Sequence, residues 1–119
     1  MHELSLAVEI LELVDRAAQD SGFHHVHVLR LEVGQLSGVE TQALRFALEN
    51  LAPGSRIDGA RIAIDEPKGQ AWCSPCQKTV PLGLRGDPCP HCGGHELRIT
   101  GGQGFRVIDL EVSDLGDSS

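Results

Sequence analysis

The sequence predicts an α+β fold, a small three-stranded sheet with two helices, interrupted by a cysteine-bearing insert. Three observations carry that prediction. Apolar residues recur at helical steps near the start and again after residue 40, short apolar stretches alternate in the manner of strands, and all four cysteines crowd into residues 73–92. At 119 residues the chain is one domain, or one domain with a small appendage. Such a chain buries roughly two-thirds of its unfolded surface, enough for one modest core.

The first helix spans Leu4 to Ala18. Leu4, Ala7, Val8, Leu11, Val14 and Ala18 fall at three- and four-residue steps, with Glu9, Glu12, Asp15 and Arg16 between them. Gly22 is its expected stop. From His25 to Val33 the chain alternates, so that His27, Leu29, Leu31 and Val33 share the core face of a strand. Gly34 and Gly38 bracket a turn, and Ser37-Gly38-Val39-Glu40 fits a capping box with Glu40 as its third helical residue. The second helix carries Leu44, Leu48 and Leu51 and ends at Pro53-Gly54. Arg61 to Glu66 is a strand burying Ile62 and Ile64. Arg106 to Val112 is a third strand, with Ile108, Leu110 and Val112 on one face.

Composition divides the chain. Residues 1–67 hold 11 acids against 5 Arg, whereas residues 68–103 hold 4 bases against 2 acids, seven of the 14 Gly and four of the 6 Pro. The expectation is a discontinuous α/β domain of residues 1–67 and 104–119 with an irregular insert of residues 68–103. Pro67-Lys68-Gly69 and Gly101-Gly102-Gln103-Gly104 read as hinges at the two ends of the insert.

The insert carries Cys73-Ser74-Pro75-Cys76 and, twelve residues on, Cys89-Pro90-His91-Cys92-Gly93-Gly94. Each pair puts two thiolates on one tight turn, and two facing turns supply four sulfurs, the donor set of a closed structural Zn(II) site. The insert therefore reads as a zinc-ribbon-like module, with Trp72, Val80, Leu82, Leu84, Leu97 and Ile99 as its only core. Disulfides are disfavoured in a chain without a secretion signal, and neither CxxC follows the βαβ pattern of a redox centre. His91 and His95 flank the second knuckle, either as spectators or as ligands that exchange with a cysteine.

The formal net charge of -7 argues against a protein that grips nucleic-acid phosphate over its surface, and 3% aromatic residues argue against a base-stacking platform. No stretch approaches the ~20 apolar residues of a membrane span, and the start lacks a signal peptide's basic region, which points to the cytoplasm. A nucleic-acid-binding zinc ribbon and a zinc-ribbon adaptor stay open as alternatives. No residue set supports turnover, because there is no nucleophile with a base, no phosphate loop and no open zinc position.

Met1-His2-Glu3 forms a chemically distinct start. A bulky His2 keeps the initiator methionine in place, so the Met1 amine, the His2 amide nitrogen and the His2 imidazole can close fused chelate rings. Nitrogen-rich tetragonal sets suit Ni(II) or Cu(II), and Glu3 adds its amide nitrogen or its carboxylate. The bland alternatives are a frayed terminus and, for Glu3 and Glu40, acids at helix starts. His24, His25 and His27 are a further group, but alternation sends His25 and His27 to one strand face and His24 to the other, so the three do not converge and read as solvent-facing or packing residues.

These pieces in combination resemble a known family. Met1-His2-Glu3, then Gly34-Gln35-Leu36-Ser37-Gly38-Val39-Glu40 leading into Leu44-Arg45-Phe46-Ala47-Leu48-Glu49, then the late cysteine insert, are similar to the HypA/HybF hydrogenase nickel-incorporation proteins over essentially the whole chain. The resemblance implies a nickel metallochaperone, not an enzyme, serving maturation of nickel–iron hydrogenase. It implies that His2 is the essential nickel ligand, with Met1, Glu3 and Glu40 completing the site, and that Cys73, Cys76, Cys89 and Cys92 hold a structural zinc. Nickel would be transferable cargo. The implied partners are the nickel-binding GTPase HypB and the hydrogenase large subunit. Service to urease, and monomer against homodimer, stay open.

Overall fold

The computed structural model describes residues 2–114, with the side chain of Asp114 outside the description. Its elements run α1 (His2–Ser21), β1 (Phe23–Val33), α2 (Thr41–Leu51), β2 (Arg61–Asp65), β3 (Gln70–Cys73), β4 (Lys78–Pro81), β5 (Leu97–Gly101) and β6 (Phe105–Asp114). The strands form two sheets of three, ordered β2-β1-β6 and β4-β3-β5. The two helices and the first sheet bear out the α+β expectation, and the second sheet is an addition to it.

Packing divides the described chain into two compact units. One comprises the described residues of Met1–Leu31, Glu40–Ile64 and Val107–Ser119; the other comprises Glu32–Val39 and Asp65–Arg106. The second unit therefore takes in a short segment between β1 and α2 as well as the cysteine-bearing stretch.

In the first unit, α1 buries Ala7, Ile10, Val14 and Ala18. Leu4 and Val8 stay exposed, so the buried stripe lies slightly round the helix from the one the periodicity suggests, and Ile10 replaces Val8 on it. The helix ends at Gly22, whose positive φ of 78° turns the chain while its N–H donates to the Ala18 carbonyl at 2.8 Å. Helix α2 buries Leu44, Ala47 and Leu48 and packs against α1. It ends before Pro53, which has no N–H with which to continue the ladder.

Strand β1 departs from strict alternation. Leu29, Leu31 and Val33 are buried as expected, but Val26 is buried in place of His27. The phase slips between residues 26 and 29 because turning a valine inward gains apolar burial, whereas an inward imidazole would need buried partners. His27 is turned out. Ile62 is buried in β2, whereas Val112 in β6 is exposed.

In the second unit β3 is the central strand, antiparallel to β4 and to β5. Ala71 stands opposite Val80 on one side and Ile99 on the other, and Cys73 opposite Lys78 and Leu97. The core joins Ala71, Val80 and Leu82 to Cys73, Cys89 and Leu36, with Cys76, Leu97 and Ile99 packed against it. Leu36 comes from the segment before α2, and Leu84, expected in this core, is 67% exposed.

The glycine-rich ends of the cysteine stretch are close-packed rather than loose, which corrects their reading as hinges. The Gly34 N–H donates to the Gly104 carbonyl at 2.8 Å, the Gln35 N–H to Pro67 at 2.9 Å and the Leu36 N–H to Gly102 at 2.6 Å. The Gln35 side-chain oxygen accepts from the Gly69 N–H at 2.8 Å. A Cβ on Gly34 would lie 2.3 Å from the Gly102 carbonyl oxygen, and one on Gly69 would lie 2.1 Å from that of Leu82. Glycine is needed at both because another backbone passes where a side chain would begin.

Candidate metal centres

The four cysteines converge. All four Sγ atoms lie within 4.8 Å of one another, with Cys73 and Cys92 at 3.6 Å and Cys76 and Cys89 at 3.9 Å. Sulfurs held at about 2.3 Å around a tetrahedral zinc lie roughly 3.8 Å apart. The donor set and its spacing therefore fit Zn(II), and with four sulfurs the shell is closed.

The two knuckles have the same backbone design. The Gln77 N–H donates to the Cys73 carbonyl at 2.8 Å, and the Gly93 N–H donates to the Cys89 carbonyl at 2.9 Å. Each turn then closes on a residue in the left-handed region, Gln77 at φ 52° and Gly93 at φ 72°. Gly93 is legible in the sequence as a turn residue. Gln77 is not, because nothing in its side chain announces that conformation. Left-handed backbone costs a residue with a Cβ ~1 kcal/mol, so Gln77→Gly is expected to stabilise the zinc-loaded protein by up to about 1 kcal/mol. Thermal denaturation at saturating zinc would read this as a higher midpoint.

The electrostatics of the cluster point the same way. Backbone N–H groups of Cys92 and His91 stabilise the Cys89 thiolate and bring its pKa down to about 6, the His91 N–H lying 3.4 Å from its sulfur. The hydrogen bond with the Cys73 sulfur, together with burial, pushes Cys76 up to about 12. For Cys73 the backbone N–H of Cys76 favours the thiolate, but burial and the Cys92 and Cys89 sulfurs outweigh it and raise the pKa. Four crowded sulfurs thus resist becoming anionic together at neutral pH, and a divalent cation at their centre supplies the charge that reverses this.

At the chain start, Met1 lies outside the described residues. His2 opens α1 and its side chain is 63% exposed, with Nδ1 3.7 Å from Glu3 Oε2. The same Glu3 oxygen accepts from the Glu40 N–H at 3.0 Å, and that bond holds the Glu3 carboxyl below its usual range. Glu40 is the N-cap of α2, its own carboxylate accepting from the Ala43 N–H. This corrects the capping box read from the sequence, in which Ser37 is the cap and Glu40 the third helical residue. Ser37 instead takes the Val39 N–H in a local turn at 3.2 Å, and helix α2 starts three residues later.

The result is a capping box built from two helices. Such a box normally has its third helical residue reach back to the N-cap N–H. Here that residue is Ala43, and Glu3 from α1 supplies the missing carboxylate. The structure therefore brings His2, Glu3 and Glu40 together, with both carboxylates engaged as helix caps. His24, His25 and His27 do not join them. His91 and His95 are exposed beside the cysteine cluster.

Four converging cysteine sulfurs on a small α+β scaffold, with an exposed His2 beside Glu3, are the features of a metal-handling protein. The sequence model of the family described as "Hydrogenase/urease nickel incorporation, metallochaperone, hypA" matches residues 1–112, and the chain belongs to this family. Among its relatives, the hydrogenase maturation factor HypA of Polaromonas naphthalenivorans is 57% identical over 96% of this chain and 99% of its own length. That of Cupriavidus necator is 54% identical over 96% of both chains. The solution structure of the Ni metallochaperone HypA from Helicobacter pylori superposes with a TM-score of 0.64 at 20% identity, covering 94% of this chain and 97% of that one. A second solution structure of a HypA protein gives 0.66 at 24% identity, covering 94% and 96%. These two support the fold. Among the described residues, no helix is long and apolar enough to cross a membrane.

Proposed function

We propose that the protein binds Ni(II) through its first residues and passes it to the maturation machinery of nickel–iron hydrogenase, acting as a carrier rather than an enzyme. The observation that carries this reading is the exposed His2 at the first position of α1, beside a Glu3 carboxylate tied to the start of α2. The first four N–H groups of a helix have no intrahelical acceptor, so the His2 and Glu3 amides can serve nickel without breaking the helix. With the Met1 amine and the His2 imidazole they make a nitrogen-rich set of the kind Ni(II) favours. Glu3 and Glu40 would add carboxylate oxygens to this set, each while capping α2. The Cys73, Cys76, Cys89 and Cys92 centre holds a resident structural zinc.

Transfer suits a site made of a chain end, because an incoming ligand can displace one donor at a time. An apolar groove lined by Leu4, Ala43, Phe46, Ala47 and Leu51 opens beside Glu3, with Phe46 70% exposed. A maturation partner such as HypB or the hydrogenase large subunit covering this groove would sit next to the cargo.

Calorimetric titration of Ni(II) into zinc-loaded protein with its authentic N-terminus tests the assignment. His2→Ala, and separately a short extension before Met1, are expected to weaken the terminal site at least a hundredfold while zinc content and helicity stay unchanged. Wild-type nickel affinity in both variants would overturn it.

A further inference from the structure

The phase slip in β1 turns His27 outward, away from the buried positions. His25 and His27 are two residues apart on one strand, and their rings meet edge to face with centroids 5.2 Å apart. We propose that His25 and His27 form a second, exchangeable site for a divalent late-transition-metal ion such as Ni(II) on the outer face of the β2-β1-β6 sheet. Two imidazole nitrogens at about 2.1 Å from a metal put it roughly 3.2 Å from each ring centre, so the centres stand about 4.5–5.2 Å apart at coordination angles of about 90–109°. The observed separation of 5.2 Å falls at the tetrahedral end of that range, and rotation of the exposed His27 side chain is what would bring the two Nδ1 atoms to one ion.

The hydrogen bonds also prepare the rings. His25 Nε2 lies 2.8 Å from the Asp58 carbonyl oxygen, which can only accept, so Nε2 carries the proton and the lone pair is on Nδ1. A metal-bound histidine characteristically donates its other ring N–H to such a carbonyl, which fixes tautomer and ring orientation. His27 Nε2 is bonded in turn to Ser113 Oγ on β6. Among the described residues no hydrogen bond engages either Nδ1. Both side chains are reachable, His25 half-buried and His27 exposed. Two protein ligands leave the remaining positions to water, which is the condition for rapid exchange.

This site is independent of the terminal one, and the test keeps them apart. In zinc-loaded protein carrying a Gly-Ser extension before Met1 the Met1 nitrogen is an amide rather than a free amine, and nickel chloride is titrated into it with and without His25→Gln and His27→Gln together. Glutamine keeps an amide donor for the Asp58 carbonyl and the Ser113 hydroxyl but removes the ring lone pairs. The expected result is one Ni(II) per extended chain, bound at least tenfold more weakly by the double variant. Paramagnetic broadening should begin at His25, His27 and Ser113 and spare His91 and His95. No binding by the extended chain up to millimolar nickel, unchanged affinity in the double variant, or nickel uptake matched by zinc release would each overturn the proposal.

Discussion

Substituting alanine for Gly69 is expected to destabilise the second unit by about 3 kcal/mol or more, at the upper end of what overpacking costs. The new methyl carbon would lie 2.1 Å from the Leu82 carbonyl oxygen and within 2.8 Å of the Leu36 side chain. A leucine side chain can rotate away, but the carbonyl cannot, since the Leu82 N–H is itself bonded to the Gly69 carbonyl at 3.0 Å. Urea denaturation followed by Trp72 fluorescence reads the loss directly, because Trp72 is the single tryptophan and lies on β3 next to the cysteine centre. Gly86→Ala, in the same unit, is the control. Its φ of 89° imposes a conformational cost of ~1–2 kcal/mol, but nothing lies within 4 Å of the added carbon. Equal losses from the two substitutions would show that backbone crowding at Gly69 is not what matters.

Removing zinc is expected to have the larger effect still. The core cluster around the cysteines has only six buried residues, and two of them are Cys73 and Cys89 themselves. Units this small rarely fold on apolar burial alone, whereas structural zinc supplies about 10–16 kcal/mol in apparent binding energy at neutral pH. Cys73→Ser, or a strong chelator, should therefore unfold the β4-β3-β5 sheet and shift Trp72 emission to that of a solvated indole. The buried residues of α1, α2 and β1 include none of the cysteines, so far-UV circular dichroism should keep most of its helical signal. Unchanged Trp72 emission in metal-free protein would mean that the sheet stands without its ion.

The elements legible in the sequence are those whose burial is periodic over enough residues. Helix α1, strand β1, helix α2 and strands β2 and β6 all had such patterns, and the paired CxxC spacing marked the cysteine centre. The strands β3, β4 and β5 were missed because each has only four or five residues, and β3 buries two of them, β4 one and β5 none. The slip at Val26 was hidden because His25 and His27 alternate correctly with their neighbours on paper. The cap that Glu3 places on α2 has no local signal, since its partner is 37 residues away. Glycines at the ends of the cysteine stretch look the same in sequence whether they supply flexibility or close approach, and only the backbone passing beside them distinguishes the two.

That close approach limits how the protein can be taken apart. Gln35 and Leu36 are tied into the second unit by bonds to Pro67, Gly69 and Gly102, and the Arg85 side chain donates back to the Leu36 carbonyl at 2.9 Å. A gene fragment cut at the two ends of the cysteine stretch would leave behind Leu36, one of its six core side chains, and the backbone that bonds to those ends. The cysteine-bearing stretch is therefore not a portable cassette. In recombination or in protein engineering, it moves intact only if residues 32–39 travel with it.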